Sequence, residues 1–186
     1  TQQNIKVDYL INNAGFGDFG MFYETDWNKE LHMINLNITT LTQFTKLYLK
    51  EMVQRKSGKI MNVASTAAFQ PGPTMAVYFA TKAYVLSFSE AIGNEVRDKG
   101  VTVTALCPGA TESGFMAAAA MEESKLFKGK KIPTSREVAE YGYIAMINGK
   151  SVAIHGLMNY IMANAVRFVP RNWVVNLVRK IQEKVN

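Results

Sequence analysis

Hydrophobic positions along the chain follow two alternating patterns. Short apolar runs rich in β-branched residues are typical of buried strands, and longer stretches place apolar residues every three or four positions, as on one helix face. The predicted strands cover residues 7–12, 59–64, 101–106 and 152–154. Strands that alternate with helices favour a parallel sheet joined by crossover helices. The pattern therefore predicts an α/β protein with a doubly wound sheet.

The helical stretches have recognisable ends. Residues 26–55 form the longest one, either a single helix or two abutting helices. A second crossover helix is predicted over residues 78–98. A capping-box pattern at Thr134 predicts the start of a further helix that runs through Met146. Asn148 and Gly149 then turn the chain into the last strand.

Three polar residues near the second crossover helix form a candidate catalytic site. Tyr78 and Lys82 are four residues apart, so a helix places the phenol and the ammonium on one face. A nearby cation favours the phenolate, and we expect Lys82 to lower the pKa of Tyr78 toward the working range. Ser65, thirteen residues before Tyr78, follows the second predicted strand, and its hydroxyl could hold a carbonyl oxygen.

These residues are part of a longer series of motifs. Asn12-Asn13-Ala14-Gly15 follows the first predicted strand, and a Pro-Gly pair at Pro108 follows the third. Together with Ser65 and the Tyr-x-x-x-Lys pair, they resemble the short-chain dehydrogenase/reductase family, whose four motifs occur here in the family's order. The likeness runs from about residue 5 to at least residue 115.

The resemblance implies a Rossmann-like fold and an NAD(P)-dependent oxidoreductase. Such an enzyme interconverts a ketone and a secondary alcohol, here on a fairly apolar substrate near the 3-oxoacyl and hydroxysteroid types. By family analogy, Tyr78 is the general acid or base, Lys82 lowers its pKa and holds the nicotinamide ribose, and Ser65 orients the substrate oxygen. The cofactor is NADP or NAD, and family analogy favours NADP.

The resemblance also assigns supporting residues. The family uses an Asn about 27 residues before the Ser, and Asn37 fits this spacing better than Asn35. The expected cofactor contacts are Asn13, Ala14 and Gly15 toward the adenosine side, and Pro108, Gly109, Thr111 and Ser113 toward the nicotinamide.

One family feature does not occur in this sequence. The family opens with a strand and a Gly-rich turn that holds the cofactor pyrophosphate. We therefore expect residues 1–186 to be one Rossmann-like domain truncated at its N-terminus, without about 75 residues that form the first three strand-helix units. The run from Gly15 to Gly20 does spell Gly-x-Gly-x-x-Gly, but no acidic residue follows about 20 positions later, so we interpret it as a loop. The rival hypothesis is a catalytically silent module or assembly surface that binds no cofactor.

Composition and charge limit the kinds of ligand and macromolecule that the protein is expected to bind. The chain has 186 residues, a net charge of +6 and a single Cys, which fits a reducing compartment, and we expect a cytoplasmic protein. Two isolated His residues leave no metal-ligand cluster, and no nucleic-acid-binding module is recognisable. We expect a homo-oligomer assembled through the long crossover helices, by family analogy.

The sequence allows more than one interpretation of the segment after the Pro-Gly loop and of the C-terminal tail. Residues 116–121 could form a substrate lid or pack as an ordinary helix, and four lysines between residues 125 and 131 suit a solvated loop or an anionic substrate tail. The tail, residues 160–186, is basic and amphipathic. Such a stretch can lie on a membrane surface, but we favour packing on the domain or on a second subunit.

Overall fold

The computed structural model describes residues 5–115 and 132–182. The predicted lid at residues 116–121 and the lysine cluster between residues 125 and 131 lie outside the described residues. The same holds for the last four residues of the basic tail.

Four parallel strands form one sheet in chain order. They are β1 (Tyr9–Asn12), β2 (Gly58–Val63), β3 (Val101–Cys107) and β4 (Val152–Ile154). The predicted α/β class and parallel sheet are confirmed. β1 begins two residues later than predicted, although Asp8 still accepts a hydrogen bond at 3.0 Å from the backbone N–H of Lys59.

The helices connect these strands across the sheet. The α-helices of the described residues are α1 (Trp27–Ile34), α2 (Leu41–Gln54), α3 (Ala76–Glu95), α4 (Ser135–Ile147), α5 (Leu157–Ala165) and α6 (Arg171–Gln182). The predicted stretch 26–55 is helical, but a π-helical segment, Asn35–Thr40, joins α1 to α2. The carboxylate of Asp26 caps α1 by accepting from two backbone N–H groups. Thr134 and Glu137 form the predicted capping box at the start of α4.

Some helix ends differ from the prediction. α3 begins at Ala76, two residues earlier than predicted, and it ends at Glu95, three residues earlier than predicted. The chain then turns through Gly100 at a φ of +71°, where a side chain would collide with the carbonyl of Lys56.

Helices cover both faces of the sheet. On one face, Ile60 and Val103 pack against Met52 of α2 and Ile92 of α3. On the other face, alternate strand residues such as Met61, Leu106 and Ala153 pack against Val138 and Met146 of α4. This alternation follows from the two-residue period of a strand. The parallel pairing of the strands places the carboxyl ends of β1, β2 and β3 side by side.

Candidate subunit contacts on α3 belong to this core. The apolar positions Val85, Phe88 and Ile92 of α3 fit either an oligomer interface or core packing by sequence alone. Phe88 is partly buried and packs against the core. Val85 is fully buried and Ile92 is 9% exposed, so both pack inside the domain.

β1 forms one edge of the sheet in the described structure. Tyr9 and Ile11 are about half exposed there, on the face opposite to α2. A groove of about 250 Å³ runs between β1 and α2 and is lined mainly by apolar residues such as Leu10, Leu41 and Phe44. Within residues 5–115 and 132–182, no helix has the length and apolarity to cross a membrane.

Candidate active site

Tyr78 and Lys82 lie in the first two turns of α3, and both side chains are buried. The Lys82 Nζ donates a hydrogen bond of 2.8 Å to the carbonyl of Val63, the last residue of β2. It also lies 5.8 Å from the centroid of the Tyr78 ring. The helical spacing thus brings the ammonium and the phenol to the same face, as predicted.

Ser65 reaches the same place from the end of β2. Its Oγ caps a 3-10 turn, Thr66–Phe69, by accepting a hydrogen bond of 3.1 Å from the Ala67 N–H. It also lies 3.4 Å from the carbonyl of Pro108, and Ser65 is close enough to Tyr78 to lower the pKa of the phenol. The structure therefore brings Ser65, Tyr78, Lys82 and the Pro108 loop together.

The protonation of Tyr78 differs from the expectation. Burial raises the pKa of Tyr78 to about 12, and the Ser65 side chain lowers it only in part. The rings of Phe79 and Phe115 lie 6.0 and 5.1 Å from the Tyr78 ring and help to exclude water. The predicted lowering of this pKa by Lys82 is wrong here, because desolvation of the phenolate outweighs the other effects.

Burial has the opposite effect on Lys82. It lowers the pKa of Lys82 to about 8, and an electrostatic interaction with Cys107 raises the pKa in part. Desolvation disfavours the charged form of any group, so it stabilises a neutral phenol and a neutral amine alike. At pH 7 the Lys82 side chain is still an ammonium, but it loses its proton as the pH rises through about 8.

Asn37 connects the π-helical segment to the site. Its Nδ2 donates to the Phe16 carbonyl at 3.0 Å and to Thr81 Oγ1 at 3.1 Å, and its Oδ1 accepts from the Phe16 N–H at 3.2 Å. Asn37 is 1% exposed, whereas Asn35 lies on the surface. These contacts favour Asn37 over Asn35 as the functional asparagine.

The sequence analysis missed Thr81. Its hydroxyl accepts from Asn37 and donates at 2.7 Å to the carbonyl of Tyr78, one turn earlier in α3. Thr81 thereby connects the π-helical segment to the backbone that carries the phenol. A signal was present, because a Thr inside a helix often bonds to the carbonyl three or four residues before it.

The predicted adenosine-side residues follow β1. Asn13, Ala14 and Gly15 are exposed at the carboxyl end of this strand. A Cβ at Gly15 would lie 2.8 Å from Asn37 Oδ1 and 3.4 Å from Lys82 Nζ, so the backbone passes very close to the site. Only Gly allows this approach without a shift of Asn37.

The predicted nicotinamide-side residues form the loop after β3. The carbonyl of Pro108 accepts from the Thr66 N–H at 2.8 Å, which fixes the loop against the Ser65 turn. Thr111 Oγ1 donates at 3.0 Å to the Gly109 carbonyl, and Ser113 lies on the surface beyond it. A side chain at Gly109 would collide with Asn159 of α5.

The donors at the site fit a nicotinamide dinucleotide. An ammonium has three N–H groups, and within the described part of the chain Lys82 uses one of them for the Val63 carbonyl. Two remaining donors on a buried cation suit the adjacent hydroxyls of a ribose. The carboxyl ends of parallel strands are also where such folds bind nucleotides.

The glycine run after β1 remains a loop. The first helix after it begins only at Trp27, and the Gly20 N–H bonds at 2.9 Å to the carbonyl of Thr74. A phosphate-binding fingerprint opens a helix within the turn. The interpretation of Gly15 to Gly20 as a loop is therefore confirmed.

Comparison with known proteins identifies the family. The chain belongs to the short-chain dehydrogenase family, because the family model described as short chain dehydrogenase matches residues 1–124. The mouse (Mus musculus) 17-beta-hydroxysteroid dehydrogenase type 3 is 35% identical over 108 residues, which cover 57% of this chain and 35% of that protein. The human (Homo sapiens) very-long-chain 3-oxoacyl-CoA reductase is 30% identical over 180 residues, covering 93% of this chain and 55% of that protein.

A solved structure has the same fold. A short-chain dehydrogenase from Sphingobium yanoikuyae in complex with NADPH gives a TM-score of 0.76 at 26% identity. The match covers 89% of this chain and 65% of that one, and it confirms the Rossmann-type fold. The chain spans about a third of the mouse relative and about half of the human relative.

Proposed function

We propose that the protein is an NAD(P)-dependent oxidoreductase that interconverts a ketone and a secondary alcohol. The observation that carries this proposal is the convergence of Ser65, Tyr78 and Lys82 on one buried site at the carboxyl end of the sheet. Ser65 follows β2, whereas Tyr78 and Lys82 lie on successive turns of α3, yet Ser65 is close enough to Tyr78 to lower its pKa and its hydroxyl lies 3.4 Å from the Pro108 carbonyl.

Tyr78 is the proton donor in carbonyl reduction. With a pKa of about 12 the phenol keeps its proton at neutral pH, and a developing alkoxide on the substrate is basic enough to take it. Ser65 donates to the same substrate oxygen and holds it beside the phenol. In alcohol oxidation, the Tyr78 oxygen accepts the proton instead.

Lys82 supplies positive charge next to this proton transfer. Its ammonium favours the phenolate that remains after Tyr78 has given up its proton. Asn37 and Thr81 hold the helical turn that carries both side chains.

Residues around the site would hold the cofactor. Lys82 would bind the nicotinamide ribose, with Pro108, Gly109, Thr111 and Ser113 near the nicotinamide and Asn13, Ala14 and Gly15 toward the adenosine. The bound nicotinamide dinucleotide would supply or accept the hydride. NADP remains the favoured form by family analogy alone.

The wall of the site supports an apolar substrate. Tyr78 belongs to a cluster with Met33, Met75 and Phe79, against which Phe16 and Phe115 pack. A Cβ at Gly17 would lie 2.8 Å from Phe115 and 3.1 Å from Met75, so apolar side chains fill the space beside the phenol. The hydroxysteroid and very-long-chain 3-oxoacyl names of the two relatives are consistent with this preference.

A cofactor and substrate screen tests the proposal. The protein is incubated with NADPH or NADH and a panel of ketones, from short alkyl ketones to steroid ketones and 3-oxoacyl thioesters, while cofactor absorbance is followed. We expect consumption with at least one lipophilic ketone, and binding of one nicotinamide cofactor by fluorescence titration. Binding of neither cofactor would instead support the rival hypothesis of a catalytically silent module.

A further inference from the structure

The last two helices present an exposed apolar surface, which we call the tail face. It comprises Leu157, Met158 and Ile161 of α5, Phe168 of the turn that follows, and Trp173, Leu177 and Ile181 of α6. Phe168 is 88% exposed, Trp173 is 71% exposed and Leu177 is 59% exposed. Single exposed apolar residues are common, but seven of them on two consecutive helices and the turn between them indicate an interaction surface.

The geometry of α6 shows that its packing on the domain does not explain the tail face. Val174, Val178 and Gln182 recur every four residues and turn inward, and Val178 packs against the cluster that contains Tyr78. Trp173, Leu177 and Ile181 recur at the same spacing one position earlier and remain exposed. One stripe of the helix thus packs on the domain, as expected for the tail, whereas the neighbouring stripe is exposed within the described residues.

The charged residues of the described segment that carries the tail face are of one sign. Residues 141–182 contain no Asp or Glu, and their charged residues are Lys150, Arg167, Arg171, Arg179 and Lys180. On a helical projection, Lys180 lies beside the exposed stripe of α6 and Arg179 lies farther round on its polar face. An exposed apolar stripe with a lysine at its border, in a segment without acidic residues, fits a helix that lies in the surface of a bilayer with anionic lipids.

A second copy of the chain fits this surface less well. In a symmetric dimer the same patch faces itself, so these cations would face the same cations of the partner. Like charges set against each other oppose association, whereas anionic headgroups complement them.

We propose that the tail face docks on an anionic membrane surface, with α5 and α6 lying in the plane of the interface. Trp173, Leu177 and Phe168 enter the boundary between headgroups and acyl chains, and Lys180 contacts the headgroups. This docking is independent of the redox function proposed above. It places the bilayer on the side of the molecule where Val178 packs against the cluster with Tyr78.

The two tryptophans of the chain provide a matched pair of reporters. Trp27 is 60% exposed on α1, outside the tail face, and Trp173 is 71% exposed within it. W27F leaves Trp173 as the reporter, and W173F leaves Trp27. With vesicles of roughly seven parts phosphatidylcholine to three parts phosphatidylserine, we expect a blue shift of the emission in W27F and none in W173F. Equal shifts in both variants, or a shift in neither, would overturn the proposal.

Vesicle flotation with double variants gives a second measurement. We expect the bound fraction of W173S/L177S to fall about tenfold, and that of the control W27S/L47S, which removes a similarly exposed pair elsewhere, to stay at the wild-type level. Wild-type binding should also weaken in high salt and on vesicles of phosphatidylcholine alone. Sedimentation without lipid completes the test by measuring the oligomeric state. If the wild type is a dimer and W173S/L177S is a monomer, the tail face binds a second copy of the chain, and membrane docking is contradicted.

Discussion

At the scale of single residues, one physical effect acts on both ionisable groups of the candidate site. Burial raises the pKa of Tyr78 to about 12 and lowers the pKa of Lys82 to about 8. At neutral pH both groups therefore hold a proton, which gives a neutral acid next to a cation. That state suits proton donation to a substrate alkoxide. The sequence indicated which two groups meet, but not the sign of the Tyr78 shift, because residue spacing does not report how much water the surrounding rings exclude.

The buried ammonium predicts an unusual pH dependence of stability. Lys82 has a pKa of about 8 in the folded protein against a reference value of 10.5, so between these values the unfolded chain binds more protons. The destabilisation by Lys82 is complete below about pH 8, and it is relieved as the pH rises toward 10.5. We expect the free energy of unfolding of the wild type, measured against K82M by chemical denaturation, to rise by on the order of 3 kcal/mol over this range.

K99M serves as the control for the stability measurement. Lys99 is exposed, so this variant reports the general effect of losing one positive charge. A wild-type minus K82M difference that stays constant from pH 7 to pH 10.5 would contradict the account of Lys82 as a desolvated ammonium.

At the scale of secondary-structure elements, the π-helical segment between α1 and α2 is the feature that the sequence did not predict. Apolar periodicity located the helix over residues 26–55, and the alternation of strands and helices located the whole sheet. The π-helical segment depends on long-range contacts of Asn37 with Phe16 and Thr81, which lie 21 and 44 residues away. Local propensity contains no information on such partners, whereas caps such as Asp26 and Thr134 depend only on near neighbours and are visible in the sequence.

Asn37 and Asn35 allow a direct comparison within this segment. N37A removes one buried and two partly buried hydrogen bonds, those to Thr81 and to the Phe16 N–H and carbonyl, and we expect a loss of about 2 to 4 kcal/mol in the free energy of unfolding. N35A changes an exposed side chain of the same type, so its effect should stay within about 0.5 kcal/mol. Thermal and chemical unfolding of the two variants measure this difference, and equal effects would show that Asn37 does not hold the segment.

At the scale of the whole molecule, the exposed edge at β1 has the largest physical consequence. Parallel sheets are normally covered on both faces, yet Tyr9 and Ile11 of β1 are about half exposed, and unpaired backbone groups line the strand. The apolar run of residues 7–12 located this strand, but hydrophobicity reports the burial that a segment favours and not which neighbours it has in the sheet.

For residues 1–186 taken alone, the exposed edge predicts self-association through β1. A charged residue on an edge strand opposes pairing with another chain, so we expect I11K to raise the concentration at which the protein aggregates, as followed by light scattering. L47K is the control, because Leu47 is 63% exposed on α2 and receives the same charge away from the sheet edge. Equal improvement by L47K would mean that net charge, and not strand pairing, governs the aggregation.

Transfer of a labelled hydride tests the central claim most directly. The protein is given nicotinamide cofactor carrying deuterium at the reactive carbon together with a ketone substrate, and the alcohol product is analysed by mass spectrometry. We predict deuterium at the carbinol carbon, a rate lower by about 10²- to 10⁴-fold in Y78F, and an unchanged rate in Y84F, which alters a more exposed tyrosine of the same helix. Unlabelled product, or equal rates for Y78F and Y84F, would contradict the assignment of Tyr78 as the proton donor of an oxidoreductase.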